Sequence, residues 1–133
     1  MPGDRLHTQT VVFLRHGVAH HNFSGADLLS PTLFDPSLTS EGKLSAVKTG
    51  EKIKTWWKTT QAGKSAELIV SSPLSRCLQT AMLAFLPGGE YERAAVPLLC
   101  IENVREGYGM HFPDKRRERS TLTVRSIYSS LSP

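Results

Sequence analysis

Thr10-Val11-Val12-Phe13-Leu14-Arg15-His16-Gly17 is the stretch from which the architecture of this chain is read. Its first five residues form a short apolar run rich in β-branched side chains, which suits a buried strand. The run stops abruptly at an arginine, a histidine and a glycine, so the end of the strand carries polar chemistry. Downstream, Pro31 and Pro36 break any long helix in the loop after Gly17. Thr39-Ser40 offers capping hydroxyls, and Glu41 favours a first helical turn. Leu44, Val47, Ile53 and Trp57 recur at helical steps between lysines, predicting an amphipathic helix to about Thr59. Leu68-Ile69-Val70 predicts a second strand. Ser72-Pro73 marks a second helix start, with Cys77, Leu78, Ala81, Met82 and Phe85 as its apolar face and Pro87-Gly88-Gly89 as its end. Val96 to Ile101 completes the series as a third strand. Alternating strands and helices imply an α/β fold with a parallel sheet and right-handed crossovers.

The whole chain bounds this reading. Its 133 residues amount to about one domain. Sixteen Lys+Arg against twelve Asp+Glu give a net charge of +4, and the hydrophobic fraction is 39%, so disorder and fibrous repeats are excluded. No run approaches the ~20 apolar residues of a membrane span, and Met1 to Thr10 lacks the apolar core of a secretion signal. Cys77 and Cys100 form no CxxC pair, which makes a reducing cytoplasm the default expectation. Asp114 to Pro133 carries five basic residues against two acidic ones and many Ser and Thr, and reads as an exposed or mobile tail on a single domain.

Ligands of open parallel sheets bind beyond the carboxyl ends of the strands. Arg15-His16-Gly17, Ser71-Ser72-Pro73 with Arg76, and Glu102-Asn103-Val104-Arg105-Glu106 all fall at such ends. Two arginines, a histidine and a carboxylate on one rim describe a phosphate site. Guanidinium groups match phosphate oxygens, a helix N-terminus adds backbone donors, and Gly17 permits close backbone approach. A neutral imidazole is a competent phosphoryl acceptor.

Leu14-Arg15-His16-Gly17 with Asn22 resembles the signature of the histidine phosphatase superfamily, which has the phosphoglycerate mutase-like fold. Leu38-Thr39-Ser40-Glu41-Gly42 is similar to that family's Leu-Thr-x-x-Gly helix start. The segment from Ser71 to Ala81 is similar to its Ser-x-Leu-x-Arg-x-x-Gln-Thr-Ala segment, and the stretch from Tyr108 to Arg117 to one phosphoglycerate mutase-like subgroup. The resemblance implies a three-layer sandwich around a mostly parallel sheet. It implies His16 as the nucleophile, Arg15 and Arg76 as the phosphate clamp, Asn22 as a phosphate hydrogen-bond partner, and Glu106 as proton donor. No metal or other cofactor is needed.

One departure stands out. The family places a second histidine at the end of a later strand, and none of His7, His16, His20, His21 and His111 follows such a strand here. The expectation is therefore a C-terminally truncated or shortened relative, with a sheet neighbour lost. His20-His21 lacks metal-ligand spacing and reads as loop; His111 reads as an exposed loop residue, Trp56-Trp57 as core plus helix edge, and Glu102 as a rival to Glu106. The expected function is a phosphatase working through phosphohistidine on a phosphorylated metabolite or phosphoprotein. The alternatives are a silent phosphate binder and a phosphoglycerate mutase-type phosphotransferase. The basic cluster from Lys115 to Arg119 has no base-reading motif beside it, so a nucleic-acid partner is disfavoured. No membrane partner is expected, and the oligomeric state is left open.

Overall fold

The computed structural model describes residues 8–61, 66–86, 96–107 and 109–122. Helix α1 (Ser40–Thr60) is followed by strand β1 (Ile69–Ser71), helix α2 (Ser75–Phe85) and strand β2 (Leu98–Cys100). Short 3-10 turns at His20–Asn22, Pro31–Leu33, Glu102–Val104 and Phe112–Asp114 complete the order. β1 and β2 pair in parallel, Ile69 opposite Leu98 and Ser71 opposite Cys100, with α2 as the crossover. That is the β–α–β arrangement of an α/β protein.

α1 begins where its caps predict. The Thr39 hydroxyl accepts the Gly42 N–H at 3.0 Å and donates to the Val18 carbonyl at 3.1 Å, which ties the loop after Gly17 to the helix. Its buried stripe is not the expected one. Leu44 and Val47 face solvent, while Gly42, Ala46 and Gly50 are buried, continued by half-buried Ile53 and Trp57. Small residues win that face because α1 packs directly on α2. A Cβ at Gly50 would collide with the Ala84 carbonyl oxygen, so only glycine lets the two backbones approach this closely.

α2 starts at Ser75, not at Ser72-Pro73. The Ser72 hydroxyl accepts the Leu74 N–H at 3.4 Å, but the first helical N–H, that of Ser75, is capped by Asp35 at 2.8 Å from a remote loop. Leu78, Ala81 and Met82 are buried as the apolar pattern predicts, and Leu78, Met82 and Leu86 form the apolar cluster with Leu98 and Leu122 against it. Cys77 and Phe85 are only half-buried. The opposite side of α2 is buried too, through Ser75, Arg76, Gln79 and Thr80. The expected stop at Pro87-Gly88-Gly89 lies outside the described residues.

The first expected strand is absent. Thr10 to Leu14 has no ladder hydrogen bonds, and Val11 and Phe13 are 66% and 93% exposed. A strand is buried by its neighbours, and no described segment pairs with this one. The first residues of the basic stretch make contacts with the rest of the chain. Arg116 pairs with Glu102, Arg117 with Asp35 at 3.6 Å, and Leu122 packs on the apolar cluster; residues 123–133 lie outside the described residues. No described helix is long and apolar enough to cross a membrane.

Candidate active site

Arg76 organises the site. It lies in the first turn of α2 and is fully buried. Its Nε–H donates to His16 Nε2 at 3.2 Å, and Nη1 donates to the Pro113 carbonyl at 2.6 Å. Nη2 is shared between the Glu106 carboxylate at 3.0 Å and the Asp114 carboxylate at 3.3 Å. A guanidinium is always charged, so taking it out of water requires such a set of acceptors. His16, Glu106 and the adjacent pair Pro113 and Asp114 thus meet on one side chain.

His16 is held by both ring nitrogens. Nδ1 donates to the Gly17 carbonyl at 2.7 Å, which places the proton on Nδ1 and leaves the Nε2 lone pair facing Arg76. Burial lowers the His16 pKa from its ordinary 6.5. The Gly17 carbonyl opposes that shift, while the Arg76 and Arg15 charges add to it and Glu106 opposes it. The imidazole is therefore neutral at neutral pH, and its Nε2 lone pair accepts the Arg76 Nε–H.

Gly17 works behind the histidine. Its N–H donates to the Thr80 hydroxyl at 3.1 Å, and that hydroxyl donates to the Arg76 carbonyl at 2.7 Å. A Cβ on Gly17 would meet the backbone of Gly42, so glycine is required here by α1. Gly17 was expected to bind phosphate through close backbone approach; its N–H is instead committed to Thr80. The helix N-terminus expected to supply donors to phosphate is likewise occupied by Asp35, whose carboxylate accepts the Ser75 N–H and, at 2.6 Å, its hydroxyl.

A cleft of about 640 Å³ opens beside His16, lined by Arg15, His21, Asn22, Cys77, Arg105 and Glu106 among others. Arg15 is exposed on its wall, and Glu106 sits at its rim with its side chain 63% exposed. Asn22 lines the cleft with its amide already engaged: its oxygen accepts the Ala19 N–H at 2.8 Å, and its nitrogen lies 3.1 Å from His21 Nε2. Glu102 turns away to Arg105 and Arg116, which leaves Glu106 as the carboxylate on the cleft. Burial pushes the Cys77 thiol pKa up, so it is a poor rival to His16 as nucleophile. His111 is exposed, as expected.

The sequence reading missed Asp35, Asp114, the Pro113 carbonyl and the role of Thr80. It also set His21 aside as a loop residue, whereas its ring lies 5.8 Å from that of His16. Adjacency to Asn22 was the signal available for His21. Nothing local marks Asp35, because its partner Ser75 is forty residues away.

The profile of the Histidine phosphatase superfamily (branch 1) matches residues 11–106, which run from the expected strand to the cleft carboxylate. The chain belongs to the histidine phosphatase superfamily. Its α/β class and phosphoglycerate mutase-like fold follow from that membership and from the parallel β–α–β unit. This superfamily member is also 30% identical to Phosphoglycerate mutase-like protein 1 of Arabidopsis thaliana over 138 aligned positions, which cover 84% of the chain and 48% of the relative. The chain spans about half the length of that relative. No solved structure matches it.

Proposed function

We propose that the chain is a phosphatase acting through a phosphohistidine on a phosphorylated metabolite or phosphoprotein, in a reducing, cytoplasmic setting consistent with free Cys77 and Cys100. One observation carries the reading: His16 is a neutral imidazole with its Nε2 lone pair held against a buried guanidinium. In the first step Nε2 gives up the Arg76 hydrogen bond and attacks phosphorus, the ester P–O bond breaks, and the leaving oxygen takes a proton from Glu106. Glu106 enters the step as the neutral acid, after taking that proton from solvent at the cleft rim. In the second step water attacks the phosphohistidine, its proton passes to Glu106, the N–P bond breaks, and inorganic phosphate leaves. Arg76 and Arg15 offset the charge on the transferring oxygens, and Asn22 holds the loop that frames the cleft. Proton transfer by a positioned carboxylate contributes about 10²–10⁴-fold in such steps.

A second reading has a specific observation behind it. Every Arg76 nitrogen is engaged within the protein, and two carboxylates share Nη2. A phosphate binder without turnover would look the same. The relative's name adds transfer to a second acceptor, as in a phosphoglycerate mutase-type phosphotransferase, as a third outcome. Hydrolysis of a generic aryl phosphate from pH 5 to 8, compared with His16→Ala, separates them. The phosphatase reading expects turnover that the variant loses; undiminished turnover in the variant contradicts it. Vanadate-induced thermal stabilisation without turnover indicates the silent binder.

A further inference from the structure

Two buried side-chain nitrogens lack a hydrogen-bond partner among the described residues, Trp57 Nε1 on α1 and Nδ1 of His21, a residue that lines the cleft. The second has a determinable proton. Asn22 Oδ1 accepts the Ala19 N–H, which fixes the orientation of that amide. The Asn22 nitrogen has only hydrogens to offer, so it donates to His21 Nε2. Neutral His21 must then carry its own proton on Nδ1, where no acceptor meets it. Burial, with the Arg76 and His16 charges adding to it and Asp114 and Glu106 opposing, lowers the His21 pKa to about 4, so the ring is neutral across the physiological range.

A buried donor without an acceptor is costly unless something supplies one. His21 is 5.8 Å from His16, ring centroid to ring centroid and tilted by 48°, on the wall of the same cleft. We propose that His21 Nδ1–H is the hydrogen-bond donor to an oxygen of the phosphoryl group carried by His16, a second histidine supplied from the loop directly after the nucleophile. It rests on the phosphoryl-transfer reading above. The ligand completes the donor's coordination, and the donor strengthens as charge builds on the transferring oxygens. Ala19 and Asn22 hold the ring for this task, in the 3-10 turn His20–Asn22.

The test uses orthovanadate as the probe of the transferring state and inorganic phosphate as the probe of the resting one. Long-range proton–nitrogen spectra at pH 7 should show His21 as the Nδ1–H tautomer, with that nitrogen shifting when vanadate is added. His21→Phe keeps a ring but no donor and should weaken vanadate binding tenfold or more, within the range seen for loss of one such donor, with a smaller change for phosphate. His21→Gln restores a donor and should recover part of the loss, with both variants matching the parent in circular dichroism. An Nε2–H tautomer, or a His21→Phe variant that binds vanadate as tightly as the parent, overturns the assignment to His21 alone. A parent chain that binds neither vanadate nor phosphate overturns the phosphoryl-site reading and this proposal with it.

Discussion

In the first half of α2, the polar side chains of Ser75, Arg76, Gln79 and Thr80 are buried, whereas Val11, Val12 and Phe13 face solvent. Each buried group has a partner from a distant segment. Ser75 has Asp35, Arg76 has His16, Pro113, Glu106 and Asp114, Gln79 accepts the Leu38 N–H at 2.8 Å, and Thr80 receives the Gly17 N–H. The apolar run has no neighbouring strand among the described residues. Burial here follows the supply of partners rather than polarity, because a buried polar group is tolerable once hydrogen-bonded and an apolar side chain stays wet until something packs on it.

The hardest blow to that contrast is Arg76→Met, which keeps length and removes the charge. Stranding the Asp114 carboxylate and the Pro113 carbonyl should cost about 3–5 kcal/mol in urea unfolding and abolish vanadate binding. An unchanged midpoint would show that Arg76 does not organise the polar half. Asp35→Ala should cost less, about 1–2 kcal/mol, as the loss of a helix cap does. The Asp35 carboxylate sits at the start of α2 with positive φ of 43° in its own backbone, so Asp35→Asn, which keeps an acceptor and tolerates that conformation, should recover part of the loss. Equal losses in the two variants would point to the charge, through Arg117, rather than the cap.

Titration gives a smaller effect. His16 and His21 both hold lowered pKa values in the folded chain, His21 at about 4. Between the ordinary 6.5 and that value the unfolded chain binds protons that the folded chain refuses, so stability is fully present above 6.5 and falls with pH through this window. His21→Phe should flatten the urea midpoint's fall from pH 7 to 4.5 relative to the parent. Parallel slopes would mean that His21 is not held neutral by its surroundings. The smallest effect belongs to the exposed region: Phe13→Ser should leave stability within about 0.5 kcal/mol, and a larger loss would show that this run is covered after all.

The helices were legible because their signals are local. Thr39 caps α1 as its hydroxyl suggests, and the Leu78–Met82 face of α2 is buried as its spacing predicts. Arg15, His16, Asn22 and Glu106 line one cleft, while Arg76 and Gly17 stand directly behind His16. What escaped is long-range. The small-residue stripe of α1 depends on Ala84 of another helix, the start of α2 on Asp35, and the failure of Thr10–Leu14 as a strand on the absence of a pairing segment among the described residues. Periodicity reports which residues share a face, not which face finds a partner.

The central claim is that His16 Nε2 accepts the phosphoryl group. Incubating the chain with an aryl phosphate, quenching in alkali to preserve an acid-labile adduct, and mapping it by mass spectrometry tests that claim most directly. The account predicts one phosphoryl group on His16, absent from His16→Ala and formed as fast as aryl alcohol is first released. Steady release of aryl alcohol with no adduct on His16, or an adduct on Cys77 in its place, would contradict it.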